Sequence, residues 1–315
     1  MGFPRQGILF LTMALFSFPA AAGLALVGNE EGGAISLIDT VRDEVVGEIR
    51  TGGKPRGTAI DARRGIAYVS DQPGNSLLVI DIAKRSVLRK IDLGESPEGV
   101  YISPDGKLVT ASVELTNSVA FIDTARDEVA FRVKIKGENP EHAVFSPDGR
   151  FVYVGAEEDD KLEVIDVARR ALVVQVKVGT RPRGISFTPD GAKAYVACER
   201  ADMVYVFDAR AHRIIGTIKA GLRSNGLAMH PGGKRLYVSN GGHHNVMVID
   251  TATDRVTATI AVGQRPWNMA LTRDGAKLYV ANGRSDSVSV IDTATNAKLK
   301  DIAVGARPWG VQILD

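Results

Sequence analysis

An all-β fold, a seven-bladed β-propeller of four-stranded antiparallel blades, is what this sequence predicts, on three observations. An aspartate closes a strand-like run seven times, at Asp39, Asp81, Asp123, Asp166, Asp208, Asp250 and Asp292, at intervals of 42 or 43 residues. Each interval contains only short β-rich runs and turn residues, and a strand-only period of about 40–45 residues is how propeller blades read in a sequence. The register holds from Gly23 to Asp315. A blade cannot bury both faces alone, so the repeats are expected to close into a single ring.

Residues 1–22 stand outside the repeat. Arg5 supplies a positive charge, Gly7 to Phe18 is a short apolar run, and Pro19-Ala20-Ala21-Ala22 ends in an A-x-A pattern. This is the pattern of an export signal cleaved after Ala22, too short to span a bilayer. The expected organisation is a signal peptide, 1–22, and a propeller, 23–315, placed in a periplasm with no membrane span. Cys198 is the only cysteine, which excludes an internal disulfide and a site built on several thiolates. Net charge is +2, and +1 without Arg5, too balanced for broad electrostatic binding of nucleic acid.

The sixth unit shows the blade. Leu236 to Ser239 and Val246 to Ile249 are β-rich, Val256 to Val262 alternates, and Asn268 to Thr272 is a fourth run. Between them lie Asn240 to Asn245, Thr251 to Asp254 and the loop Gly263 to Pro266, rich in turn formers. The ring begins with Leu24 to Val27, the second strand of a blade, and ends with Val311 to Leu314, an innermost strand. The last strand is therefore expected to complete the first blade. The recurring Asp of each repeat is expected to accept backbone N–H bonds in an Asx turn, and the Pro-Asp-Gly segments to form type I turns.

The repeat text resembles the YVTN family of β-propeller repeats. The residues that carry this are LYVSN (Leu236 to Asn240), LYVAN (Leu278 to Asn282), VIDTAT (Val248 to Thr253 and Val290 to Thr295) and SPDG (Ser103 to Gly106 and Ser146 to Gly149). The export signal, seven repeats and overall length are also similar to exported propellers associated with pyrroloquinoline-quinone-dependent alcohol oxidation in bacteria. That resemblance implies a periplasmic quinoprotein dehydrogenase as partner.

Chemistry is expected where the repeat breaks. The x-Pro-x segments before the innermost strands bring seven basic side chains to the channel mouth: Lys54, Arg56, Arg181, Arg183, Arg223, Arg265 and Arg307. Glu98 and Glu141 hold the equivalent places in two adjacent blades. With Glu114 and the run Glu157-Glu158-Asp159-Asp160 they predict an acidic sector beside a basic one. Both tryptophans, Trp267 and Trp309, fall at equivalent positions in the basic sector. An aromatic platform with guanidinium groups beside it suits a planar anion or an acidic peptide. The alternatives are channel plugs for the tryptophans and mutual pairing for the arginines.

His142, Glu141 and His243 are the weak candidates for a metal site, while His212 and His230 belong to the opposite rim. No haem motif, phosphate loop or GxSxG elbow is present, and no cofactor is implied. The expected role is a non-catalytic binding or scaffold protein for an anionic small molecule or a protein partner. The alternatives are a lactonase- or lyase-like enzyme using rim His and Glu residues, or the structural subunit of a dehydrogenase.

Overall fold

The structure, a computed structural model, describes residues 23–314. The segment expected to be an export signal lies outside the described residues. Those residues form 28 strands, β1 to β28 in chain order, and a single 3-10 turn at Glu114–Thr116. The strands make seven antiparallel four-stranded sheets. Blade 1 consists of β28 (Pro308–Leu314), β1 (Leu24–Asn29), β2 (Ala34–Asp39) and β3 (Glu44–Arg50), in that order from the channel outward. Blades 2 to 7 are consecutive in sequence and begin at Pro55, Pro97, Pro140, Pro182, Ser224 and Pro266.

Closure takes the expected form. β28 pairs antiparallel with β1 from Leu24↔Leu314 to Asn29↔Pro308. Strand bounds in the sixth repeat differ by one or two residues from the sequence expectation, and one shift matters. The innermost strand of blade 7, β24, spans Pro266–Leu271 and so contains Trp267. Trp309 is likewise the second residue of β28. Both tryptophans, expected in loops, sit on strands that line the channel. Proline supplies no N–H, which suits the first residue of a strand.

Seven apolar clusters fill the seven blade-to-blade interfaces. One joins Tyr68 and Leu77 of blade 2 to Val100 and Ala111 of blade 3. The closing one joins Tyr279 and Val288 of blade 7 to Ala25, Val27 and Val311 of blade 1. Burying both faces of every blade is what the ring accomplishes.

Four of the repeat tyrosines, Tyr68, Tyr153, Tyr195 and Tyr279, add a polar staple, each reaching the β-turn of the next blade. Tyr68 Oη donates to Asp127 (2.5 Å) and Tyr195 Oη to Asp254 (2.8 Å). Tyr279 reaches Asp43, which also takes the Lys277 ammonium at 2.7 Å, across the closure. His212 fills the same slot for Tyr153, Nδ1 to Oη at 2.7 Å. Its role is that of the repeat aspartates. The Asx turns are as expected: Asp39 Oδ1 accepts the Val41 and Arg42 N–H groups, each at 2.9 Å.

Candidate functional site

Three columns of residues, each recurring with the blade period, build the channel mouth. The first precedes the innermost strand: Lys54, Ser96, Asn139, Arg181, Arg223, Arg265 and Arg307. From Ser96 onward these residues are left-handed, with φ between 55° and 63°. The backbone N–H is held by a side chain of the preceding blade. Asn75, Asn117, Asp160, Asp202 and Asp286 accept it for Ser96, Asn139, Arg181, Arg223 and Arg307, and His244 Nδ1 accepts it for Arg265. His244 is thus a structural substitute.

The second column follows the proline, or Ser224 in blade 6: Arg56, Glu98, Glu141, Arg183, Asn225, Trp267 and Trp309. The third follows each blade's second strand: Glu30, Gln72, Glu114, Glu157, Glu199, Gly241 and Gly283. Glu30 and Glu199 were not among the sequence candidates. Their signal was the blade period itself, read down the column rather than within one loop.

The expected side-by-side acidic and basic sectors are, in the structure, interleaved. Arg183 pairs with Glu141 (2.9 Å), Glu157 (2.6 Å) and Glu199 (2.9 Å). Arg181 shares Glu157 at 3.0 Å, and Arg265 reaches Glu199 at 2.5 Å. Arg56 joins Glu30 (2.6 Å) and Glu98. Alternate charges down adjacent columns face each other across blade junctions, so pairing wins over segregation. Five of these six acids, all but half-buried Glu114, are no more than 3% exposed. Burial, then the Glu141 charge, pushes the Glu157 carboxyl up to about 8 against the pull of Arg183 and Arg181. Burial also opposes charge on Glu141, but Arg183 and its neighbours outweigh it and hold its pKa below the ordinary value.

Arg223 and Arg307 remain accessible. Arg223 is exposed and has no ion-pair partner among the described residues. The Arg307 side chain is 43% exposed, and it touches Glu30 (3.1 Å) and the exposed Glu31 (2.6 Å).

The two tryptophans part company. In blade 7 the third-column residue is Gly283, and a Cβ there would meet the Trp267 ring at 2.6 Å. Trp267 lies half-buried on this glycine, with the Arg265 and Arg307 guanidinium carbons 5.9 and 5.4 Å from its ring centre. In blade 1 the equivalent place holds Glu30 with its arginines, so Trp309 turns into the channel. It is 8% exposed and its ring lies 5.8 Å from that of His142, on blade 4 across the channel. Asn268 Nδ2 donates to the Trp309 carbonyl at 3.4 Å. His142 and Asn268 occupy a position that is glycine in the other five blades. Trp309 is a plug. The chamber beneath it, lined by Tyr101, Asn268 and Gln312 among others, has a volume of about 70 Å³.

The metal candidates do not assemble. His243 is exposed and accepts the Leu222 N–H at 3.2 Å within its own blade. His142 Nδ1 lies 2.6 Å from Tyr101 Oη, and burial depresses the imidazole pKa to about 4. Only Glu141 of the three belongs to a group of converging ligand atoms, and its companions are Glu98 and Glu114.

A protein-family model described as YNCE-like beta-propeller matches residues 101–315. Among solved structures, the fold is similar to Kuenenia stuttgartiensis hydrazine synthase, with TM-score 0.79 and 23% identity over 85% of this chain and 92% of that one. It is also similar to a functionally unknown protein from Desulfotomaculum acetoxidans DSM 771, with TM-score 0.81 and 17% identity over 92% of this chain and 98% of that one. No curated protein matches the chain. At these identities the likeness is one of fold, and the same ring serves unrelated activities.

Proposed function

The chain belongs to the YNCE-like β-propeller family, and from that premise we propose a non-catalytic binding propeller that holds an anionic ligand on the rim of blades 6, 7 and 1. The observation that carries this is the Trp267 face flanked by two guanidinium groups, with exposed Arg223 on the neighbouring blade. An indole beside arginine forks suits a planar carboxylate, because the fork binds carboxylate oxygens bidentately and the ring offers a stacking face. Glu31 competes for Arg307 from a half-exposed position, and a surface pair of that kind is worth about 0–1 kcal/mol. A ligand carboxylate can displace it. The plug closes the channel below, so the ligand lies across the mouth.

The ligand set is Trp267, Arg307 and Arg223, with Arg265 as the buried support. Arg56, Arg181 and Arg183 serve the ring by holding its buried carboxylates. We further propose that the protein is exported and accessory to a quinone-dependent alcohol oxidation system. The A-x-A pattern ahead of the repeat and the resemblance to exported propellers support this. No rim histidine supports the enzymatic alternative, since His142 is buried against Tyr101 and Trp309, and His243 and His244 hold backbone N–H groups. The subunit alternative draws on one observation, the shape shared with a chain of hydrazine synthase.

Calorimetric titration with pyrroloquinoline quinone and with citrate tests the proposal. Arg307→Ala should weaken binding by roughly tenfold, about 1.4 kcal/mol, and leave the melting temperature nearly unchanged. Trp309→Ala should do the reverse, lowering the melting temperature by several degrees through the cavity it opens. Equal affinity of wild type and Arg307→Ala for both anions would refute the assignment.

A further inference from the structure

We infer that the opposite side of the mouth holds a hard divalent cation of the calcium class, bound between blades 3 and 4 by Glu98, Glu114 and Glu141. One oxygen of each carboxylate lies within 4.8 Å of the others. Three atoms no farther than 4.8 Å apart can all lie within about 2.8 Å of one point, close to a Ca–O bond of roughly 2.3–2.6 Å, so a small inward movement brings one ion onto all three. A set made only of carboxylate oxygens favours Ca²⁺ over softer metals.

Acid clusters are common without an ion, and a second observation distinguishes this one. Glu98 is 1% exposed, yet its Oε2 has no hydrogen-bond partner among the described residues, while Oε1 takes both the Arg56 guanidinium and the Gln72 amide. A carboxylate oxygen that is desolvated and unsatisfied costs several kcal/mol unless a charge meets it. The other two acids are also fixed from outside on one oxygen. Glu114 Oε2 accepts the Ser96 hydroxyl at 2.6 Å, and Glu141 Oε1 accepts Arg183 at 2.9 Å. Ligands held by outer donors in this way are pre-oriented toward a common centre.

Charge points the same way. Arg56 and Arg183 face three carboxylates, and both are shared, Arg56 with Glu30 and Arg183 with Glu157 and Glu199. Half-buried Glu114 leaves the site open to the mouth, where water completes the coordination. The site shares no residue with the Trp267 rim and does not rest on the anion assignment.

Calorimetry of the full-length chain after EDTA treatment and dialysis, titrated with CaCl₂, decides. One saturable site is expected, with Mg²⁺ at least about tenfold weaker because it demands shorter bonds. Terbium, an oxygen-seeking substitute, should luminesce on tryptophan excitation and be displaced by Ca²⁺. Glu114→Gln should weaken Ca²⁺ binding by at least about tenfold. Its partial exposure keeps the fold intact even if Glu98→Gln does not fold. Glu31→Gln, outside the cluster, should bind as wild type does. No saturable binding at up to about 10 mM Ca²⁺, well above the weak extracellular range, would overturn the site, as would unchanged affinity in Glu114→Gln. A proton shared among the three acids would give that first result.

Discussion

Removing Gly310 to Asp315 should abolish the cooperative melt of the ring. β28 is the innermost strand of blade 1, and β1 pairs with it along its whole length. Without it, β1 presents an unpaired edge to the channel, and Val311 leaves the cluster that joins blade 7 to blade 1. Domain stability is only about 5–15 kcal/mol, and opening one of seven interfaces exposes a comparable amount. The polar staple of Tyr279 and Lys277 on Asp43 then spans a seam that has lost its innermost strand. Circular dichroism and differential scanning calorimetry of the truncated chain check this. A melting temperature within about 5 °C of the full-length protein, corresponding to roughly 1–2 kcal/mol, would show that the ring closes without its latch.

Arg183→Met should cost about 3–5 kcal/mol at neutral pH, the usual result of removing one partner of a buried ion pair. Three acids lose their common cation: Glu157 keeps Arg181 and Glu199 keeps Arg181 and Arg265, but Glu141 is left with no ion-pair partner among the described residues. The pH dependence gives the sign. Glu157 has a folded pKa of about 8 against an ordinary 4.5, so the folded state binds the extra proton. Its stabilising protonation is complete below about 4.5 and is lost as the pH rises through 8. Loss of Arg183 raises the carboxyl pKa values further and steepens that decline. The gap between variant and wild type should therefore grow up to and beyond pH 8, and it should close only below 4.5, as the pH falls through the lowered pKa values of Glu141 and Glu199. Urea melts across that range check it, and a gap independent of pH would mean that lost packing, rather than charge, sets the cost.

Most of the fold was legible because the repeat is strict. Asp39 and its six equivalents marked the turns, and the strand fragments at the two ends of the repeat, Leu24 to Val27 and Val311 to Leu314, marked the closure. The mouth was legible as a set of positions but not as an arrangement. The run Glu157-Glu158-Asp159-Asp160 looked like one acidic patch, yet only Glu157 turns inward, at 2% exposed, while Glu158 is exposed. Side-chain direction within a loop is fixed by backbone geometry that a charge count does not carry. Trp267 and Trp309 are equivalent in sequence and differ in fate because Gly283 and Glu30 leave different space beside them. Seven arginines and lysines on the rim similarly implied an open basic ring. The acids that bury most of them, Glu30 and Glu199 included, stand in other loops at the same period.

The most direct test of the account is the fluorescence of Trp267 alone. Trp309→Phe keeps an aromatic plug against His142 and leaves Trp267 as the single tryptophan. Titration with pyrroloquinoline quinone or citrate should change its emission saturably, and adding Arg307→Ala should shift the midpoint upward by roughly tenfold. Emission that responds to neither anion, or a midpoint indifferent to Arg307, would contradict an anion site on this rim and leave the charged mouth as a device for holding the ring together.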